Sequence, residues 1–233
     1  MKHFCSILMI IFIVNSGYAL ERKELINVSI DEFMSDLQPN VIAPNDHLAV
    51  IWLVPIEHWE ISFESDQSMS ESEKQEFLNT LDPYFLIAIC QADISTFGAF
   101  KFYTKKQVEK NLNVVLYKDS DDSLSLFPTD DVSEDVSVLL AMLRPMFAQA
   151  AGNLGENFHF FVFKNYDRNS NPILDPYLIS NLNISIKTKK DEFLDSIIEF
   201  PLNSLYVPRM CPNGKPAHVS WKYCPWTGSE LNE

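Results

Sequence analysis

Asp131-Val-Ser-Glu-Asp-Val-Ser-Val-Leu-Leu-Ala-Met-Leu-Arg-Pro-Met-Phe-Ala-Gln-Ala-Ala-Gly-Asn-Leu-Gly-Glu-Asn-Phe-His-Phe-Phe-Val-Phe163 is the stretch on which the rest of the chain is organised. Val136, Leu139, Leu140, Leu143, Phe147, Ala150, Ala151 and Leu154 recur at three- and four-residue steps, the spacing of one face of an α-helix. Asp131 and Glu134 give it an acidic start that suits the positive end of a helix dipole, and Gly152 and Gly155 offer it a stop. Pro145 inside the run removes one backbone donor and predicts a kink. Phe158 to Phe163 is apolar on both faces, which predicts a central strand covered on each side.

Working outward, a second two-sided apolar strand is predicted over Tyr84 to Cys90, and a third over His47 to Val54, cut off by Pro55. Glu57 to Glu64 alternates Trp59, Ile61 and Phe63 with His58, Glu60 and Ser62, so the pattern predicts a strand with one wet face. Short helices are predicted after Ser29, from about Ser70 to Leu81, and over Thr104 to Asn111. Further strands fall at Phe97 to Tyr103, Leu112 to Tyr117, Asn181 to Lys187 and Phe193 to Leu202, with an acidic turn at Asp119 to Asp122 and an Asn-rich loop at Asn165 to Pro172. Leu-Asp-Pro-Tyr occurs twice, at Leu81 to Tyr84 and at Leu174 to Tyr177, but the flanking residues do not align, so it reads as reuse of a strand-entry turn. Helices and strands in this mixed order predict an α+β domain over residues 20–205. Its largely antiparallel sheet packs against a long kinked helix and shorter ones, and a small tail follows over residues 206–233.

Charge and leader bound the function. Thirty-two acids against eighteen Lys and Arg give a formal charge of -14, which argues against a nucleic-acid partner and against adhesion to anionic lipid. Lys2 and His3, the apolar run Phe4 to Val14 and the small-residue end Gly17-Tyr18-Ala19 read as a signal peptide over residues 1–19, taking Cys5 with it. The run is shorter than the ~20 residues a transmembrane helix needs, so no stable membrane insertion is expected after cleavage. A periplasmic or secreted protein is the expectation, in an oxidising compartment.

The tail carries Cys211-Pro212-Asn213-Gly214-Lys215 and Cys224-Pro225-Trp226-Thr227-Gly228. This segment resembles a degenerate zinc ribbon, in which two Cys-Pro-x-Cys-Gly knuckles present four thiolates to zinc. Each knuckle here keeps its first cysteine and its proline, while Gly214 and Thr227 stand where the second cysteines would be. The resemblance implies that Cys211 and Cys224 face each other across the vacated metal position. There they form a disulfide, remain free thiols, or hold a metal with His218 as third ligand. Trp221, Tyr223 and Trp226 around them either cover the crosslink or offer a contact to a protein or glycan partner. The remaining chain shows no whole-chain family resemblance.

Chemistry elsewhere is sparse. His58 and Glu60 would share a face of the expected strand and form an acid–base pair, without a nucleophile nearby. His159 reads as a core histidine, His47 as exposed, Cys90 as an inert buried thiol, and Asp119, Asp121 and Asp122 as a solvated turn rather than a calcium loop. Asn27-Val28-Ser29 and Asn183-Ile184-Ser185 match the glycosylation sequon. The hydrolase, phosphate-loop and dinucleotide motifs are missing from the sequence. The expected function is therefore a non-catalytic exported interaction protein needing no cofactor. The alternatives are a hydrolase working through His58 and Glu60, and a metal-binding tail.

Overall fold

The computed structural model describes residues 20–118 and 122–231. Two four-stranded antiparallel sheets form an α+β fold, with a two-stranded hairpin at the C-terminal end. In the first sheet, β1 (His47–Val54) pairs along one edge of β2 (Tyr84–Ile94). The other edge of β2 is shared end to end by β3 (Phe100–Phe102) and β6 (His159–Lys164). The second sheet runs β5 (Ser123–Leu126), β4 (Asn113–Tyr117), β7 (Ser180–Lys187), β8 (Phe193–Phe200).

The two-sided apolar strands explain the layering. Odd-numbered residues of β2 (Phe85, Ile87, Ile89) join Ile51, Leu53, Phe161 and Phe163 against the inner face of the second sheet. That face supplies Val114, Leu116, Leu182, Ile184, Ile186, Ile198 and Phe200. The opposite face of the first sheet, with Leu86, Ala88, Cys90, Phe160 and Val162, is covered by α2 (Ile56–Ser65), α3 (Glu71–Leu81) and α5 (Glu134–Ala151). Layers therefore run helices, sheet, sheet, and the outer face of the second sheet meets solvent through Asn181, Asp195 and Glu199. Two short helices, α1 (Ile30–Asp36) and α4 (Lys105–Asn111), close the interior with Phe33, Leu37 and Val108.

Helix α5 begins where Ser133 accepts a hydrogen bond from the Val136 N–H, and it ends at Gly152. Pro145 lies within it. The one-turn α6 (Asn153–Glu156) folds back so closely that a Cβ on Gly155 would sit 1.8 Å from the Phe147 carbonyl oxygen, which only glycine tolerates. Ser70 and Glu73 form a reciprocal capping box at the start of α3.

Three expectations fail for identifiable reasons. Residues 56–65 form α2 rather than a strand. Trp59 packs with the helical layer while Ile61 packs with the inter-sheet core, so this helix is buried on two sides and its apolar residues alternate as a strand's would. His47 is 6 % exposed, because the β7–β8 turn and the Tyr103 ring lie over it. The strand predicted over Phe97 to Tyr103 shrinks to β3, since a turn closed by Gly98 N–H to Ser95 O (2.9 Å) leaves Phe97 at its tip, 97 % exposed. The acidic turn at Asp119 to Asp121 and the leader over residues 1–19 lie outside the described residues.

Candidate functional site

Helix α2 separates the two residues expected to act together. Residues two apart on a helix do not face each other. His58 is 8 % exposed and wedged edge-on between Trp52 (5.4 Å) and Trp59 (4.9 Å), with Nδ1 unpartnered. Burial drives its pKa down to about 4, so the imidazole is neutral. Glu60 instead lines a groove of about 260 Å³ with Phe63, Lys74 and Leu78. The His58–Glu60 pair is therefore not made. What α2 does bring together is acidic. Glu57, half-buried, is raised to about 7 by burial, with Glu60, Asp175 and Asp82 adding to the effect. Asp82 and Asp175 are the acids of the two Leu-Asp-Pro-Tyr copies, so both strand-entry turns converge on this helix. Asp82 accepts from the Tyr166 hydroxyl (3.1 Å), and the Arg22 guanidinium lies over the Tyr177 ring (4.4 Å). Among the described residues, no three His, Cys, Asp or Glu are disposed to hold a metal ion.

A polar network that the sequence does not advertise sits where the two sheets meet. His47 Nδ1 faces Asp93 Oδ1 at 3.3 Å, and its Nε2 meets the Gln91 amide nitrogen at 3.0 Å. That amide also donates to Lys187 O (2.8 Å), tying the first sheet to β7. Tyr103 donates to Asp93 (2.8 Å), Lys189 pairs with Asp93, and Lys190 pairs with Asp46 (2.6 Å). The adjoining cavity holds about 230 Å³. Both imidazole nitrogens are engaged, and burial lowers the His47 pKa, so the network is a clamp between sheets. His159 is spent similarly: its Nε2 lies 2.7 Å from the Tyr103 carbonyl.

The tail is organised by a residue that sequence reading overlooked. The Arg209 guanidinium donates to three carbonyls, Val219 O (3.0 Å), Trp221 O (3.0 Å) and Leu231 O (2.5 Å). Around it β9 (Arg209–Met210) pairs with β10 (Pro216–Ala217), and each cysteine opens a tight turn with a left-handed glycine, Gly214 (φ 77°) or Gly228 (φ 68°). Cys211 and Cys224 are buried and unbonded, with their side chains in near-contact. His218 is tied instead to the Ser220 hydroxyl (2.7 Å). Trp221 is half-buried beside the cysteines, while Tyr223 and Trp226 stand 59 % and 50 % exposed.

One exposed feature went unread in the sequence. Val138, Met142 and Met146, at helical i, i+4, i+8 spacing, form a second apolar stripe on α5, facing away from the stripe that packs on the sheet. Their exposures are 54 %, 63 % and 57 %. The signal was present, but the inward stripe already accounted for the periodicity. No described helix is long and apolar enough to cross a membrane. No protein-family model, curated protein or solved structure matches this chain.

Proposed function

We propose that this is an exported, non-catalytic binding protein that presents the outer stripe of α5 to an amphipathic helix of a protein partner. The observation that carries the reading is the exposed row Val138, Met142 and Met146. Methionine-rich apolar surface is adaptable and serves recognition, and rows four residues apart are what a second helix packs into. The stripe lacks the aromatic platforms that sugars stack upon, which favours a protein over a glycan; the half-exposed Trp226 and Tyr223 of the tail are the secondary contact. Further support comes from the histidines: hydrogen bonds engage His47 and His159, and His58 is buried between two tryptophans. Export rests on the leader-like residues 1–19.

Site-specific photo-crosslinking in the producing cell tests the binding reading. A photoreactive side chain at Met142 yields a discrete partner adduct that one at Asp195, on the solvent face of the second sheet, does not. Equal crosslinking at the two positions would remove the basis for the proposal. N-terminal sequencing of the mature protein tests export, with Leu20 as the expected first residue and an intact Met1 as the contrary result.

A further inference from the structure

The two cysteines of the tail are held by related turns, the one at Cys224 a residue longer than the one at Cys211. Gly214 N–H closes on Cys211 O at 2.8 Å, and Gly228 N–H closes on Cys224 O at 2.8 Å. Lys215 O and Ser229 O each receive the cysteine N–H, also at 2.8 Å. The turns thus fix both sulfurs from the backbone, side by side, in a pocket covered by Ala217, Leu231 and Trp221. Their surroundings differ. The Cys224 sulfur meets the N–H groups of Trp226 and Thr227 and the Thr227 side chain, as well as Cys211. Donors placed around one sulfur favour its thiolate.

We propose that Cys211 and Cys224 are the site of a reversible intramolecular disulfide, with Cys224 the sulfur that attacks and Cys211 the one that resolves. The oxidant is a low-molecular-weight disulfide of the glutathione class. When the tail pocket, in which Cys224 is 1 % exposed, opens, the Cys224 thiolate attacks one sulfur of that disulfide, forming a mixed disulfide and releasing one thiolate that takes up the proton Cys211 loses. Cys211 then gives up its proton and attacks Cys224 Sγ, forming the Cys211–Cys224 bond and releasing the second thiolate. Two protein thiols lose two electrons, and one small disulfide becomes two thiols. Thr227, at the position of a missing ribbon cysteine, sets its N–H and its hydroxyl, which is shared with Ser229 Oγ at 3.2 Å, beside Cys224. Cys90, buried in β2 with its thiol raised to about 11, takes no part.

The test uses the full chain, reduced and then equilibrated with glutathione mixtures at pH 7, quenched by alkylation and mapped by mass spectrometry. The expected product links Cys211 to Cys224 and leaves Cys90 alkylated. Cys211→Ser should stop at a Cys224–glutathione adduct, while Cys224→Ser should react about tenfold or more slowly. Thr227→Val should move the pH midpoint of Cys224 alkylation upward, a readout that a merely structural role would leave in place. Absence of the linked product at every glutathione ratio, or a zinc ion held by both sulfurs in the purified protein, overturns the proposal. Equal rates in the two serine variants, or an unmoved midpoint in Thr227→Val, overturns the assignment of Cys224 as the attacking sulfur.

Discussion

The space between the two sheets and the C-terminal tail are held by different forces. Between the sheets, large side chains leave water together: Phe85 and Phe163 stack at 5.1 Å, and Ile87, Leu116, Ile184 and Phe200 close around them. Apolar burial of this kind is non-directional and shared among many residues. The tail's own buried cluster is Cys211, Ala217, Cys224 and Leu231, with Trp221 beside them. It is shaped instead by the three carbonyls on Arg209, by two cysteine turns, and by the insertion of Val219 into the main core. A segment too small to form a core depends on directional bonds, so single groups decide its stability.

The contrast is sharpest for single truncations. Phe161→Ala, at a position 1 % exposed between the sheets, should cost about 3–5 kcal/mol in urea unfolding of the whole chain. Arg209→Ala should cost about 2–3 kcal/mol of local tail stability, because buried carbonyls lose a charged donor. It should leave the urea midpoint of the sheets in place, and hydrogen exchange separates the two outcomes. If Arg209→Ala unfolds the sheets as well, the division between the two regions is wrong.

Helix α2 touches both the helical layer and the inter-sheet core, and its titrating groups give a third expectation. His58 has its folded pKa lowered to about 4 from 6.5. Between those values the unfolded chain binds a proton that the folded one does not, so this group makes stability rise with pH. Glu57 is raised to about 7 from 4.5, so it makes stability fall with pH over that range. The two slopes oppose each other between pH 4.5 and 6.5. Glu57→Gln removes the falling arm, and its stability relative to wild type should grow by about 2 kcal/mol from pH 4.5 to pH 7, a figure discounted from the full shift because Glu57 is half-buried. Urea titrations at several pH values measure this; a constant difference would contradict the burial of Glu57.

The smallest expected effect lies at the surface. Met146→Glu replaces a side chain that is 57 % exposed, and should change stability by no more than about 0.5 kcal/mol while abolishing the partner adduct formed from position 142. A loss of several kcal/mol would mean that the stripe is covered within the protein itself.

Much of the sheet scaffold was legible because two-sided apolar runs are local signals: His47 to Val54, Tyr84 to Cys90 and Phe158 to Phe163. Helix α2 misled because burial on two faces imitates the period of a strand. The His47–Gln91–Lys187 connection joins residues far apart in the chain, so no spacing announces it. Arg209 is similar, since a lone arginine beside a proline reads as surface charge until three distant carbonyls converge on it. The tail cysteines were legible as a pair, but the donors around Cys224 depend on turn geometry that composition does not encode.

Residue-resolved hydrogen exchange on the full chain, oxidised against reduced, tests most directly whether the sulfur pair holds the tail separately from the sheets. The amides of residues 211–231 should exchange roughly tenfold or more slowly once Cys211 and Cys224 are linked, while those of β2 from Tyr84 to Ile94 stay unchanged. An unchanged tail, or a matching shift in β2, would contradict the account.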